Sequence, residues 1–273
     1  MSTGVRREVT VLALVLMVAP AGAVGAAPAR PPGEAVAHNH AGVALAGDGE
    51  IGAAIREFRT ALQIAPRYAE AHDNLGIAFR QQGRAERAVR QFRQALRCDP
   101  GDQKAHYNLG LVLMVDNGDL DGAVAEFRTT LSSNPGNASA HNNLGIALEK
   151  GGHLAEAIDE FRAAIEVEPA HVGAHYNLGE ALERSGDLDG AVREYQTAIG
   201  LAPDDVDSHN GLGAAMAARG DLDAAIHEFR LAATLSSDDA LALRNLATAL
   251  ELKAKADAAP LADPPSAADP SVF

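Results

Sequence analysis

The sequence predicts an all-α protein, a solenoid of about six helical hairpins finished by a C-terminal capping helix. Three observations predict it. Gly42, Gly76, Gly110, Gly145, Gly179 and Gly213 sit in similar surroundings at steps of 34, 34, 35, 34 and 34 residues, and the next step of 34 lands on Ala247 in a run of the same pattern. A fixed period of this length is the signature of stacked structural repeats. Each period also holds two stretches with apolar residues at helical spacing. Finally, the 273 residues are 47% apolar but only 4% aromatic, with no Trp. The core must therefore come mainly from Ala, Leu, Val and Ile, which suits close-packed helices.

The chain opens with Arg6 and Arg7 ahead of an apolar run, Val9 to Ala19, broken by Pro20. Ala21-Gly22-Ala23 and Val24-Gly25-Ala26 both fit a small-x-small cleavage site, so residues 1–26 read as a signal peptide and the protein as exported, periplasmic or secreted. The alternative is an uncleaved inner-membrane anchor over residues 9–27, although the run before Pro20 is shorter than the roughly 20 residues of a span. No Cys follows the run, which excludes lipoprotein processing. Residues 27–34 form a short linker.

The repeats then occupy residues 35–68, 69–102, 103–137, 138–171, 172–205 and 206–239. The first helix of each carries A-H-x-N-L-G, as in Ala105 to Gly110, and an apolar stripe such as Ala71, Leu75 and Ala78. Gly49, Gly83, Gly118, Gly152, Gly186 and Gly220 stop these helices, since glycine tolerates the left-handed conformation of a helix end. The second helix carries A-x3-F-x2-A, as in Ala88, Phe92 and Ala95. Pro66, Pro100, Pro135, Pro169 and Pro203 close five repeats, and Ser237 stands in the sixth. The one added residue falls near Asp116 and Asn117, where a turn absorbs it and a helix would lose its register. Residues 240–257 form the capping helix, and the Pro- and Ala-rich residues 258–273, without periodicity, read as a disordered tail.

At these positions the chain resembles the tetratricopeptide repeat (TPR) family over about residues 35–257. The position that is often Trp in that family is His here: His38, His72, His106, His141, His175 and His209. The resemblance implies a right-handed superhelix whose first helices line a concave face.

Charge and chemistry narrow the function. Lys and Arg number 23 against 37 Asp and Glu, a net charge of -14 that disfavours nucleic acid and anionic lipid as partners. A single cysteine excludes an internal disulfide and a multi-cysteine metal site. The six repeat histidines lie at least one helix-packing distance apart, roughly 8–10 Å, too far to share a metal, so each is expected to pack against its own hairpin. His171 and His175 are four apart but have no evident third ligand, and Cys98 reads as a small packed side chain. Asn137-Ala138-Ser139 matches a glycosylation sequon. No nucleophile-base pair or phosphate loop is present, and the repeats leave no room for a catalytic domain, so we expect no catalysis, no cofactor and no bound metal. An enzymatic or metal-binding protein is the least favoured alternative.

The expected site is the groove. Asn74, Asn108, Asn143 and Asn177 recur just before the repeat Leu, with Asn245 in the capping helix, while His40 and Gly211 interrupt the series. Asn is a mediocre helix former, so propensity does not explain the recurrence. An amide both donates to and accepts from a peptide backbone. The series is similar to the asparagine ladder in the repeat domain of O-linked N-acetylglucosamine transferases, which implies that it grips the backbone of a bound polypeptide. The alternative is that the asparagines bridge neighbouring repeats. Three residues past each one come Val43, Ile77, Leu111 and Ile146, then Glu180 and Ala214, so the groove floor is apolar toward the N-terminus, with Leu111, Met114 and Val115 its most apolar patch. Glu180, Glu183, Arg184 and Asp207 make the other half charged. An apolar floor suits a peptide or partner helix, with self-association as the competing use. The lysine clamp of chaperone-binding relatives is missing, with Asn39, Asp73, Tyr107, Asn142, Tyr176 and Asn210 standing near its place. The expected function is thus an exported scaffold for envelope or secreted complexes. A membrane-tethered accessory subunit is the alternative if the N-terminal segment stays attached.

Overall fold

The computed structural model describes residues 31–236 and 240–258. The signal-peptide segment, Ser237 and the tail beyond Ala258 lie outside the described residues. Thirteen helices and no strands occur among them. Six hairpins pair α1 (Gly33–Gly47) with α2 (Ile51–Ile64), α3 (Ala69–Gln81) with α4 (Ala85–Cys98), α5 (Gln103–Val115) with α6 (Leu120–Ser133), α7 (Ala138–Lys150) with α8 (Leu154–Val167), α9 (Val172–Ser185) with α10 (Leu188–Leu201), and α11 (Val206–Ala218) with α12 (Leu222–Leu235). A last helix, α13 (Ala240–Ala258), packs on α12 and touches α11. Each second helix contacts the first helix of the next hairpin, and successive first helices touch one another, so the first helices form one continuous face. The added residue of the third repeat lies in the link 116–119, and α5 keeps the same 13-residue length as α3 and α7.

Each hairpin closes on an aromatic ring. Phe58, Phe92, Phe127, Phe161, Tyr195 and Phe229 are buried against Gly42, Gly76, Gly110, Gly145, Gly179 and Gly213, and a Cβ on any of these glycines would lie 2.5–2.8 Å from a ring carbon. This close approach explains a mid-helix glycine that propensity alone disfavours by about 1 kcal/mol. The turn glycines, Gly49 to Gly220, all have positive φ, from 67° to 91°, which few other residues adopt without strain. Seven helix N-termini are capped by side chains: Asp102, Asp119, Asp187, Asp205 and Asp221 accept from backbone N–H groups, as do Asn137 of the sequon and His171.

The repeat histidines clasp the hairpins. Nδ1 of His38, His106, His141, His175 and His209 lies 2.5–2.7 Å from a carboxylate oxygen of Glu57, Glu126, Glu160, Glu194 and Glu228 on the second helix of the same hairpin. His72 faces Gln91 in the same way at 2.8 Å. From His72 onward, Nε2 donates to the carbonyl of the proline six residues earlier, Pro66, Pro100, Pro135, Pro169 or Pro203, at 3.0–3.2 Å. One ring therefore ties its own hairpin to the end of the preceding one. That is the packing role expected of these positions, performed by hydrogen bonds where a Trp would use area.

Candidate functional site: the face of the first helices

The asparagines bond across repeats. Asn74 Nδ2 donates to Asn39 Oδ1 at 3.0 Å, Asn108 to Asp73 Oδ1 at 3.1 Å, Asn143 to the Tyr107 hydroxyl at 2.9 Å and Asn177 to Asn142 Oδ1 at 2.8 Å. Each acceptor sits one residue before the preceding member of the series, on the neighbouring first helix. All four asparagines are half-buried, and none of their Oδ1 atoms is taken up by another group among the described residues. The amide nitrogen thus joins the repeats while the amide oxygen stays open to an N–H from outside the chain. Asn245 sits half-buried on α13.

The break in the series at Gly211 has a packing cause. A Cβ there would lie 2.6 Å from Cε1 of Tyr195, the one aromatic of the hairpin set that is not Phe. Tyr195 fills the space between Gly179 and Gly211, and its hydroxyl donates to Glu183 Oε2 at 3.3 Å. An asparagine at 211 would collide with the ring. Tyr176, which occupies the acceptor position there, stacks obliquely on Tyr195 with centroids 5.8 Å apart. Burial, and then the charge of Glu180, push the Tyr176 phenol up to about 12.

The apolar residues divide. Val43, Ile77 and Val115 are exposed, by 48%, 36% and 58%, while Leu111 and Ile146 are half-buried against the core. Between α1 and α3, Val43, Ala46, Asn74, Ile77 and Gln81 line a shallow open pocket floored by Phe58 and Ala78. Met114 corrects the expected groove floor: it is buried at 7% exposure within the core. Its helical position faces the seam between adjacent first helices. Glu149 holds the same seat on α7 and fills it by pairing with Arg184 of α9 at 2.6 Å.

The far half is acidic. Glu180 and Glu183 are both held above the usual carboxylate range, first by desolvation; Glu149 adds to the effect at Glu180, and the Tyr195 hydroxyl opposes it at Glu183. Among the described residues no group of three or more His, Cys, Asp or Glu could hold a metal, and no helix is long and apolar enough to cross a membrane. The histidine clasp is the feature that sequence reasoning missed. Its signal was present, an acid or Gln immediately before each hairpin aromatic, as in Glu160-Phe161 and Gln91-Phe92.

Comparison with known proteins places these repeats. A tetratricopeptide repeat model matches residues 74–124, 113–166, 149–206 and 176–240, and a second TPR model matches 42–83. The chain belongs to the tetratricopeptide repeat family. Its hairpins form the right-handed superhelical solenoid of that family. No curated protein matches it by sequence. Among solved structures, the TPR chain superposes on PilW, a type IV pilus biogenesis factor, with a TM-score of 0.70 at 18% identity over 79% of this chain and 98% of that one. YrrB, a TPR protein with an unusual peptide-binding site, gives 0.58 at 23% identity over 68% and 96%. The APC/C hetero-tetramer Cut9–Hcn1 gives 0.67 at 20% identity over 81% of this chain but 44% of that one, so this chain spans less than half the length of its counterpart there. These likenesses establish the fold.

Proposed function

We propose that this TPR protein is a non-catalytic scaffold that holds an extended polypeptide segment along the face of its first helices. One observation carries the reading: exposed Val43, Ile77 and Val115 stand beside asparagines whose amide oxygens are open, so apolar contact and backbone recognition lie side by side. Asn74, Asn108, Asn143 and Asn177 accept backbone N–H groups of the ligand while their nitrogens keep the repeats in register. The apolar half takes hydrophobic side chains. Glu180, Glu183 and Asp207 favour a basic residue at the other end. The peptide-binding site that YrrB carries on a related solenoid supports the class of ligand. Export rests on Arg6, Arg7 and the apolar run to Ala19, and with it a role in assembling envelope or secreted complexes.

The test is a pull-down from envelope and secreted fractions, comparing wild type with Ile77→Glu/Val115→Glu. Both side chains are on the surface, so the variant keeps its helical signal and melting temperature. Partners held by wild type and lost by the variant support the reading. Partners retained equally by both move the interaction to another face and sink it.

A further inference from the structure

The last helix leaves a face that nothing in the described chain covers. Leu243, Ala247, Leu250 and Ala254 follow one another at helical spacing on α13, and all are exposed, Leu243 by 46% and Leu250 by 41%. An adjoining side of α13, with Ala242 and Ala249, packs on the last hairpin. The exposed stripe holds the positions that every complete repeat covers with its own second helix. Leu243 stands where the repeats have His, Ala247 where they have the hairpin Gly, and Leu250 where Leu148 and Leu182 are buried.

Two of these replacements say what cannot cover the stripe. At each hairpin glycine a Cβ would come within 2.8 Å of the aromatic ring, so Ala247 bars a helix that seats its aromatic in the manner of Phe161 or Phe229. Leu243 in place of His removes the ring that a Glu on such a helix would meet. The face has lost the means of docking another hairpin helix and has kept its apolar character. Its centre is small, at Ala247, with a leucine on either side.

We propose that a second copy of this chain covers the stripe, the two α13 helices packing antiparallel about a two-fold axis between residues 247 and 248. Charge decides for a second copy. Arg244 and Glu251 border the stripe on the same side, and neither has an ion-pair partner among the described residues. They are equidistant from that midpoint, at roughly 5 Å along the axis in each direction with a rise of 1.5 Å per residue. An antiparallel copy therefore sets Arg244 against Glu251 of the other chain, twice, while Ala247 lets the helices approach and the leucines interdigitate. The pairing leaves both first-helix faces free and gives one particle two of them, which raises the apparent affinity for any ligand that repeats.

The experiment is sedimentation equilibrium on the full-length chain as the cell processes it. Wild type forms a concentration-dependent dimer. Arg244→Glu and Glu251→Arg each place like charges opposite at two points and weaken the dimer by about tenfold or more. Mixing these two variants restores opposite charges at both points and returns dimers of wild-type strength. Leu250→Asn, which changes no charge, weakens the dimer as well. A wild type that stays monomeric at every concentration overturns the proposal, because the stripe is then covered by residues 259–273 or by another protein. So does a dimer that ignores the charge variants, or a mixture that fails to restore it.

Discussion

Asp73 is the residue whose environment conflicts most with its chemistry. It is 5% exposed and holds the amide of Asn108, a task that Asn39 and Asn142 perform as neutral side chains in other repeats. Burial raises its carboxyl from 3.8 to about 6; the Asn108 hydrogen bond opposes the shift, and Asp102 adds to it. An acid raised in the folded state destabilises it wherever the group is ionised, since the unfolded chain ionises more easily. The cost is full above about pH 6, shrinks as the pH falls, and is gone below about 3.8. Asp73→Asn keeps an oxygen for Asn108 and removes the charge. It should stabilise the protein at pH 7.5 by roughly 2–3 kcal/mol, and that gain should fade on acidification toward pH 4. Thermal melts of both proteins across that range check it. A variant that melts lower at pH 7.5 would show that the carboxylate has a charged partner there.

At the scale of helices, the hairpin is held by its aromatic-on-glycine contact and by the histidine clasp. His141 meets Glu160 at 2.7 Å and the Pro135 carbonyl at 3.1 Å, so its removal cuts a bond within the hairpin and another to the repeat before. His141→Ala should destabilise by roughly 1–3 kcal/mol. Glu160→Ala should cost less, and the double variant should cost less than the sum, because both remove the same contact. Urea titrations of the four proteins supply the cycle, and strict additivity would mean that the pair is not coupled. The hairpins were legible in the sequence because their causes are local: a turn glycine with positive φ, and an aromatic 16 or 17 residues after a packing glycine. What joins one hairpin to the next was not. The acceptors of Asn108 and Asn143 lie 35 and 36 residues away, and no pattern within one helix says that Asp73 and Tyr107 face them. Met114 was misplaced for the same reason, since periodicity puts it beside Leu111 and Val115 but cannot tell an open groove from the seam against the next helix.

The whole molecule is a line of contacts in which each repeat is stabilised by its neighbours, and the line has a weak end. A continuous buried cluster runs from Ala54 in α2 to Ala215 in α11, joined through Phe92, Phe127, Phe161 and Tyr195. Ala225, Ile226 and Phe229 of α12 form a separate, smaller cluster with Ala249 of α13. In a solenoid, opening energies follow the number and quality of neighbouring interfaces. The central repeats have an interface on each side, whereas α13 has one, made largely of alanine and tied at its edge by Lys253 to Asp223 at 3.0 Å. A surface ion pair of this kind contributes little. Hydrogen exchange should therefore find α12 and α13 opening first and together, with α5 to α8 protected longest. The measurement belongs at high dilution, where copies are apart. Uniform protection from α3 through α13 there would mean that the two clusters unfold as one and that the end of the array is stabilised by contacts beyond those of the described residues.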